Sequence, residues 1–99
     1  MNVISRKTLH DFWQKHGDAK GPLTCWYQEV SKSHWSDPSE IKARYATASF
    51  LDHNRVVFNI KGNTYRLVCS VAYRQRAVFI KFIGTHAEYD KLDASKVKS

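Results

Sequence analysis

Apolar residues recur along this chain with two different spacings, and the change from one to the other divides it. Val3-Ile4 is a short apolar start that fits a brief N-terminal strand. Leu9, Phe12, Trp13 and His16 then fall at i, i+3, i+4 and i+7, which predicts a helix with Ser5 as its N-cap and Gly17 as its stop. Leu23, Trp26, Tyr27 and Val30 repeat that spacing and predict a second helix opening at Gly21-Pro22. Pro22 is expected at the first helical position, where a missing N–H costs nothing. Asp37-Pro38-Ser39-Glu40 predicts a third, short helix whose open first turn is capped by the Asp37 carboxylate. All three tryptophans lie in this half, so the helices are expected to supply much of the core.

From Arg55 onward the period falls to two. Residues 56–60, 64–73 and 78–83 are rich in β-branched and aromatic side chains and predict three strands, joined by turns at Lys61-Gly62-Asn63 and at Arg74-Gln75-Arg76-Ala77. The expected fold is α+β, with N-terminal helices packed on one face of an antiparallel β-meander. Alternation sorts the side chains. Val56, Phe58, Ile60, Tyr65, Leu67, Cys69, Val71, Tyr73, Val78, Ile80 and Phe82 are assigned to the helix-covered face. The opposite face gathers Val57, Asn59, Arg66, Val68, Ser70, Ala72, Phe79, Lys81 and Ile83.

Ninety-nine residues with 42% hydrophobic and 25% charged side chains make one modest domain, expected over 1–99 with 93–99 as a flexible basic tail. A TIM barrel or paired nucleotide-binding domains would not fit. No stretch approaches the roughly 18 apolar residues of a membrane span. The first residues lack the apolar core of a secretory signal, and two cysteines, Cys25 and Cys69, are no disulfide framework, so a cytoplasmic location is expected.

Charge sharpens the picture. The formal net charge is +7, and it is segregated: residues 53–87 hold Arg55, Lys61, Arg66, Arg74, Arg76 and Lys81 and no carboxylate. A one-signed field of this kind draws polyanions, which points to nucleic acid or an acidic protein partner. Arg66 and Lys81 on neighbouring strands of the uncovered sheet face form a cradle suited to a phosphate.

Past the last strand, Thr85 and Glu88 fit a capping box, so a short helix is expected to begin at His86. His86 and Tyr89 then share one side of that turn, with Asp90 beside them, at the end of the strand carrying Lys81. An imidazole moves protons near neutrality. Three polar residues in a turn are common, however, and spacing alone favours a structural reading: Thr85 and Glu88 cap, His86 is solvated and Tyr89 packs on the core. The histidines and cysteines show no metal-ligand spacing, and Cys69 reads as a buried hydrophobe rather than a nucleophile. No phosphate loop, dinucleotide fingerprint or nucleophile elbow is present.

Two stretches resemble a known family. Residues 55–68, Arg-Val-Val-Phe-Asn-Ile-Lys-Gly-Asn-Thr-Tyr-Arg-Leu-Val, and 82–90, Phe-Ile-Gly-Thr-His-Ala-Glu-Tyr-Asp, are similar to the HigB toxins of the RelE-like superfamily of bacterial toxin–antitoxin systems. Leu9 to Trp13 and the Trp26…Trp35 pair agree with the helices of such toxins, so the resemblance spans residues 2 to about 92.

The resemblance implies an mRNA endonuclease, acting mainly on messages within the ribosome and neutralised by a HigA antitoxin with a helix-turn-helix domain. Operator DNA would be met only through that antitoxin, and no membrane, metal or other cofactor is implied. The expected chemistry is attack of the ribose 2′-OH on the adjacent phosphate. It needs a proton acceptor, positive charge on the phosphorane and a proton donor for the 5′-oxygen. By this resemblance Arg66 and Lys81 would stabilise charge, His86 would carry out acid–base transfer, Tyr89 would transfer a proton or orient the phosphate or base, and Asp90 would orient a neighbour or help it retain charge. Arg55, Asn59, Lys61, Arg74 and Arg76 would bind RNA. Relatives carry lysines or glutamate where this chain has Asn59 or Ser70, and the residues do not divide acid from base. Two other readings stand beside the endonuclease: a noncatalytic RNA- or ribosome-binding module, and a degenerate toxin that only binds its antitoxin.

Overall fold

The computed structural model describes residues 1–97. Strand β1 (Asn2–Ile4) leads into helix α1 (Arg6–Lys15), a single 3-10 turn at Gly17–Ala19, and helices α2 (Lys20–Lys32) and α3 (Pro38–Arg44). Strands β2 (Ser49–Leu51), β3 (Arg55–Ile60), β4 (Tyr65–Ala72) and β5 (Ala77–Thr85) come next, and helix α4 (His86–Asp90) closes the regular structure. The sheet order is β1-β5-β4-β3-β2. Strand β1 runs parallel to β5, and every other pairing is antiparallel. The α+β expectation is met, with the short N-terminal strand making the sheet mixed.

Local chemistry explains most boundaries. The Asp37 carboxylate accepts from the Ser39 and Glu40 amides with Pro38 just inside the helix, as expected. Ser5 does occupy the cap position of α1, but its φ of 74° is left-handed and its hydroxyl caps nothing; the Thr8 amide instead donates to the Ser5 carbonyl at 2.9 Å. Helix α2 begins at Lys20 rather than Gly21, because the 3-10 turn feeds directly into it. Pro22 still lies in the first turn, where amides have no intrahelical partner. Strand β2 is an addition to the expected meander: three residues are too few to show alternation. Its turn back to β3 puts His53 and Asn54 at positive φ.

One face of the sheet carries the main core. Leu9, Leu23, Trp26, Val30, Trp35 and Ile41 from the helical layer close over Val56, Phe58, Leu67, Cys69, Val71, Val78 and Ile80. Trp26, Trp35 and Tyr45 all pack their rings around Phe58. Cys69 is fully buried and its thiol pKa is pushed up by that burial, in keeping with a packing role.

The other face differs from the expected alternation at one place. Val68 pairs with Phe82 but Cys69 pairs with Ile80, so Lys81 is the extra residue of a β-bulge. A bulge reverses the parity of everything beyond it. Ile83 therefore turns to the helical core, and Phe82 turns to the opposite face, where it joins Val57 and Val68. Simple alternation assigns both the other way round.

That second face is not bare. Leu92, Ala94 and Val97 fold back on it with Tyr89, making a small second apolar cluster over Val57, Val68 and Phe82. Ala94 is 8% exposed. The expected tail at 93–99 is thus, over 93–97, laid on the sheet; Lys98 and Ser99 lie outside the described residues.

Candidate active site

Arg66 projects from β4 onto the second face, between Asn59 on β3 and Gly84 on β5. Gly84 is where a side chain would obstruct: an added Cβ would lie 2.4 Å from Cζ of the Phe82 ring and 3.1 Å from a Glu88 carboxylate oxygen. The Phe82 ring fills that space instead. The Arg66 guanidinium carbon stands 5.9 Å from the centre of the Tyr89 ring, inside the range of a cation–π contact. Its Nη1 is shielded from solvent and has no hydrogen-bond partner among the described residues. Nor does any carboxylate among them form an ion pair with Arg66. Leaving a donor unpaired costs about 1–3 kcal/mol, more for a charged group. An aromatic face contacts the cation without neutralising it.

Tyr89 is delivered by α4, and α4 begins where a capping box dictates. The Glu88 amide donates to Thr85 Oγ1 at 3.2 Å, and the Thr85 amide donates to a Glu88 carboxylate oxygen at 2.8 Å, as the sequence predicted. The Thr85 backbone amide first, and the Thr85 side chain second, hold the Glu88 carboxyl below its ordinary pKa. On this single turn Tyr89 is half-buried toward the sheet, while His86 and Asp90 are exposed. His86 Nδ1 lies 2.9 Å from an Asp90 carboxylate oxygen, an i, i+4 pair. Asp90 is thus seated to orient the imidazole, the arrangement that fixes which ring nitrogen faces outward.

The structure joins the proposed catalytic residues as two pairs, Arg66 with Tyr89 and His86 with Asp90, both meeting on α4. Lys81, at the bulge, stands with its ammonium 5.7 Å from the centre of the Phe79 ring on the same sheet face. Beside Tyr89 is an open hollow of about 510 Å³ bordered by Leu51, Asp90, Leu92 and Ala94. That is within the roughly 300–1,000 Å³ of small-ligand sites. A smaller hollow of about 190 Å³, lined by Leu9, Trp13 and Tyr27, lies between α1 and α2 on the helical side, away from Arg66.

The five residues expected to bind RNA do not form one patch. Lys61 is committed to the helical side, where its ammonium pairs with Asp18 at 2.6 Å. Asp18 also accepts from the Tyr65 hydroxyl, and Lys61 first, Tyr65 second, hold its carboxyl below the ordinary range. Arg74 and Arg76 are exposed in the β4–β5 turn, at the far end of β5 from α4. Eight residue steps of strand put about 25 Å between the two ends. Arg55 donates from Nη1 to the Ala94 carbonyl at 3.0 Å. Asn59 neighbours Arg66 in the ladder, and its amide donates to the Thr47 carbonyl at 3.3 Å. Sequence proximity groups cations that the strand lengths and the Asp18 network keep apart. The shared face of Phe79 and Lys81 follows from the alternation, whereas the packing of Leu92 and Ala94 on the sheet was missed; Tyr89 and Leu92, three residues apart, were the available signal.

Among the described residues no group of three or more His, Cys, Asp or Glu is gathered as a metal site, and no helix is long and apolar enough to cross a membrane.

Helices on one face of a mixed sheet, and on the other an arginine paired with no carboxylate among the described residues beside a short tyrosine-bearing helix, define an α+β protein with a cationic group on its second sheet face. Residues 19–92 match the family model HigB_toxin, described as the RelE-like toxic component of a toxin–antitoxin system, and the chain belongs to this family. It is 30% identical over 93 residues to the mRNA interferase toxin HigB of Escherichia coli (strain K12), covering 91% of this chain and 88% of that protein. It is 27% identical over 94 residues to the mRNA interferase HigB of Escherichia coli O6:H1, covering 93% and 91%. The resemblance seen in the strand and turn motifs is borne out.

Proposed function

We propose that this chain is the toxin of a toxin–antitoxin pair and acts as an endonuclease on messenger RNA. The single observation that carries the reading is the Arg66 guanidinium, half-sheltered on the second sheet face, in contact with the Tyr89 ring and neutralised by no carboxylate among the described residues. A charge kept in this state favours a phosphate that gains negative charge as it reacts. The names of the similar mRNA interferases support the same substrate class.

In the proposed reaction the ribose 2′-oxygen forms a bond to the adjacent phosphorus as its proton leaves. The bond from phosphorus to the 5′-oxygen breaks, and that oxygen takes up a proton. The products are a 2′,3′-cyclic phosphate and a 5′-hydroxyl. Because the nucleophile belongs to the substrate, no water has to be activated. Arg66 balances the phosphorane charge, with Lys81 adding to the local field. Tyr89, in contact with Arg66, orients the phosphate or passes a proton, and His86 with Asp90 behind it supplies the second proton transfer. Action on ribosome-bound messages in the cytoplasm, and restraint by a helix-turn-helix HigA partner, complete the proposal.

The test is to map 5′ ends of cellular messages after induction, for the wild type and for Arg66→Ala. New ends at translated sites that vanish in the variant support the reading. If the protein binds RNA in a salt-dependent manner but creates no ends, it is a binding module instead.

A further inference from the structure

The second apolar cluster contains one polar contact that its neighbours do not require. Arg55 sits at the start of β3 on the same sheet face as Arg66, half-buried, opposite Ser70 and Leu51. Instead of presenting its guanidinium to solvent, it donates to the carbonyl of Ala94, 39 residues away. Around that point the chain closes a tight turn on itself: the Asp93 carboxylate accepts from the Ser95 amide and hydroxyl at 3.1 and 2.6 Å, and the Lys96 and Val97 amides donate to the Asp93 carbonyl. Leu92, Ala94 and Val97 form the roof of the cluster; Val57, Val68 and Phe82 form its floor.

Tyr89 belongs to this roof as well. Its helix has five residues, far too few to be stable alone, so the ring's position depends on how the chain beyond Asp90 is anchored. The roof has few apolar atoms with which to hold itself down.

We infer that Arg55 is a positioning residue: by holding the Ala94 carbonyl it fixes segment 91–97 on the sheet and thereby keeps the Tyr89 ring over Arg66. This rests on the proposed RNA-cleaving reading of that pair for its consequence in catalysis, though not for the clamp itself. Arg55 is then no phosphate ligand, although its charge and its place in the sequence suggest one.

The test uses the full chain and the variants Arg55→Ala and Arg55→Gln; glutamine keeps a donor for the carbonyl and removes the charge. Three quantities are read: hydrogen exchange of the amides in 86–97, kcat and KM for cleavage, and the salt dependence of RNA affinity. Arg55→Ala should speed exchange in 86–97 at least about tenfold and lower kcat by about 10- to 100-fold, with KM and the salt slope unchanged. Arg55→Gln should recover most of both losses. Unchanged exchange in Arg55→Ala overturns the proposal. A salt slope reduced by about one, with Arg55→Gln no better than Arg55→Ala, also overturns it and makes Arg55 a phosphate contact. If the wild type cuts no RNA, the endonuclease reading fails by itself, and the exchange comparison still decides the clamp.

Discussion

The Tyr89 ring lies over the Arg66 guanidinium, with 5.9 Å between the ring centre and the guanidinium carbon, and this contact joins the centre of the sheet to the helix that ends β5. It holds a cation in place without cancelling it. An ion pair would have gripped Arg66 more firmly, at the cost of the charge that the proposed reaction uses.

Replacing Arg66 should therefore separate stability from activity. Arg66→Met keeps much of the apolar stem and removes an unpartnered, shielded donor. Its melting temperature should match or exceed the wild type's, while kcat for RNA cleavage falls about 10²- to 10³-fold. Thermal melts and single-turnover cleavage check the pair of outcomes. A variant that melts much lower would mean that Arg66 is a structural residue.

Tyr89 offers a finer division. Tyr89→Phe keeps the ring over Arg66 and the packing on Leu92 and Ala94, and loses only the hydroxyl. If the ring's task is to hold Arg66, Tyr89→Phe should retain most of the affinity for RNA, whereas Tyr89→Ala should lose it and destabilise by about 2–4 kcal/mol. A fall in kcat for Tyr89→Phe with KM unchanged assigns the hydroxyl to proton transfer or phosphate orientation.

Gly84 is demanded by its neighbours. Alanine there would put its Cβ into the Phe82 ring and against the Glu88 carboxylate that completes the capping box. Gly84→Ala is expected to cost about 1–3 kcal/mol and to loosen α4, read by urea denaturation and by hydrogen exchange at Thr85 to Asp90. Unchanged stability would show that Phe82 moves aside freely.

The Asp18 network makes a pH prediction. Its carboxyl is held below the ordinary 3.8 by the Lys61 ammonium first and the Tyr65 hydroxyl second. A carboxyl whose pKa is lower folded than unfolded adds stability above the unfolded value and loses it as pH falls through the folded one. Wild type should thus exceed Asp18→Asn in melting temperature at neutral pH, with the gap intact above about pH 5 and closing below about pH 4. A gap that stays constant down to pH 2 would contradict this.

Much of the architecture was legible in the chain because its signals are local. The Thr85–Glu88 box, the Asp37 cap and the 3.6-residue spacing of Leu23, Trp26, Tyr27 and Val30 each need only a few neighbouring residues. What escaped is set by partners distant in sequence. The bulge at Lys81 arises in the pairing of β4 with β5, and it alone exchanges the faces of Phe82 and Ile83. Lys61 is drawn from the basic face by Asp18, 43 residues earlier, and Arg55, which stays on the face of Arg66, is tied there to the carbonyl of Ala94, 39 residues later. Of the candidate site, the turn carrying His86, Tyr89 and Asp90 and its meeting with Arg66 were foreseen; the pairing of Lys61 with Asp18 and the distance of Arg74 and Arg76 from α4 were not.

The most direct measurement is of the ends left on a defined message cut by the purified protein on programmed ribosomes, beside the same message carrying one 2′-deoxynucleotide 5′ of the cut. Attack by the ribose hydroxyl predicts a 2′,3′-cyclic phosphate and a 5′-hydroxyl, and no cut in the deoxy-substituted message. Intact RNA in both, or 5′-phosphate ends with the deoxy message still cut, would contradict the account.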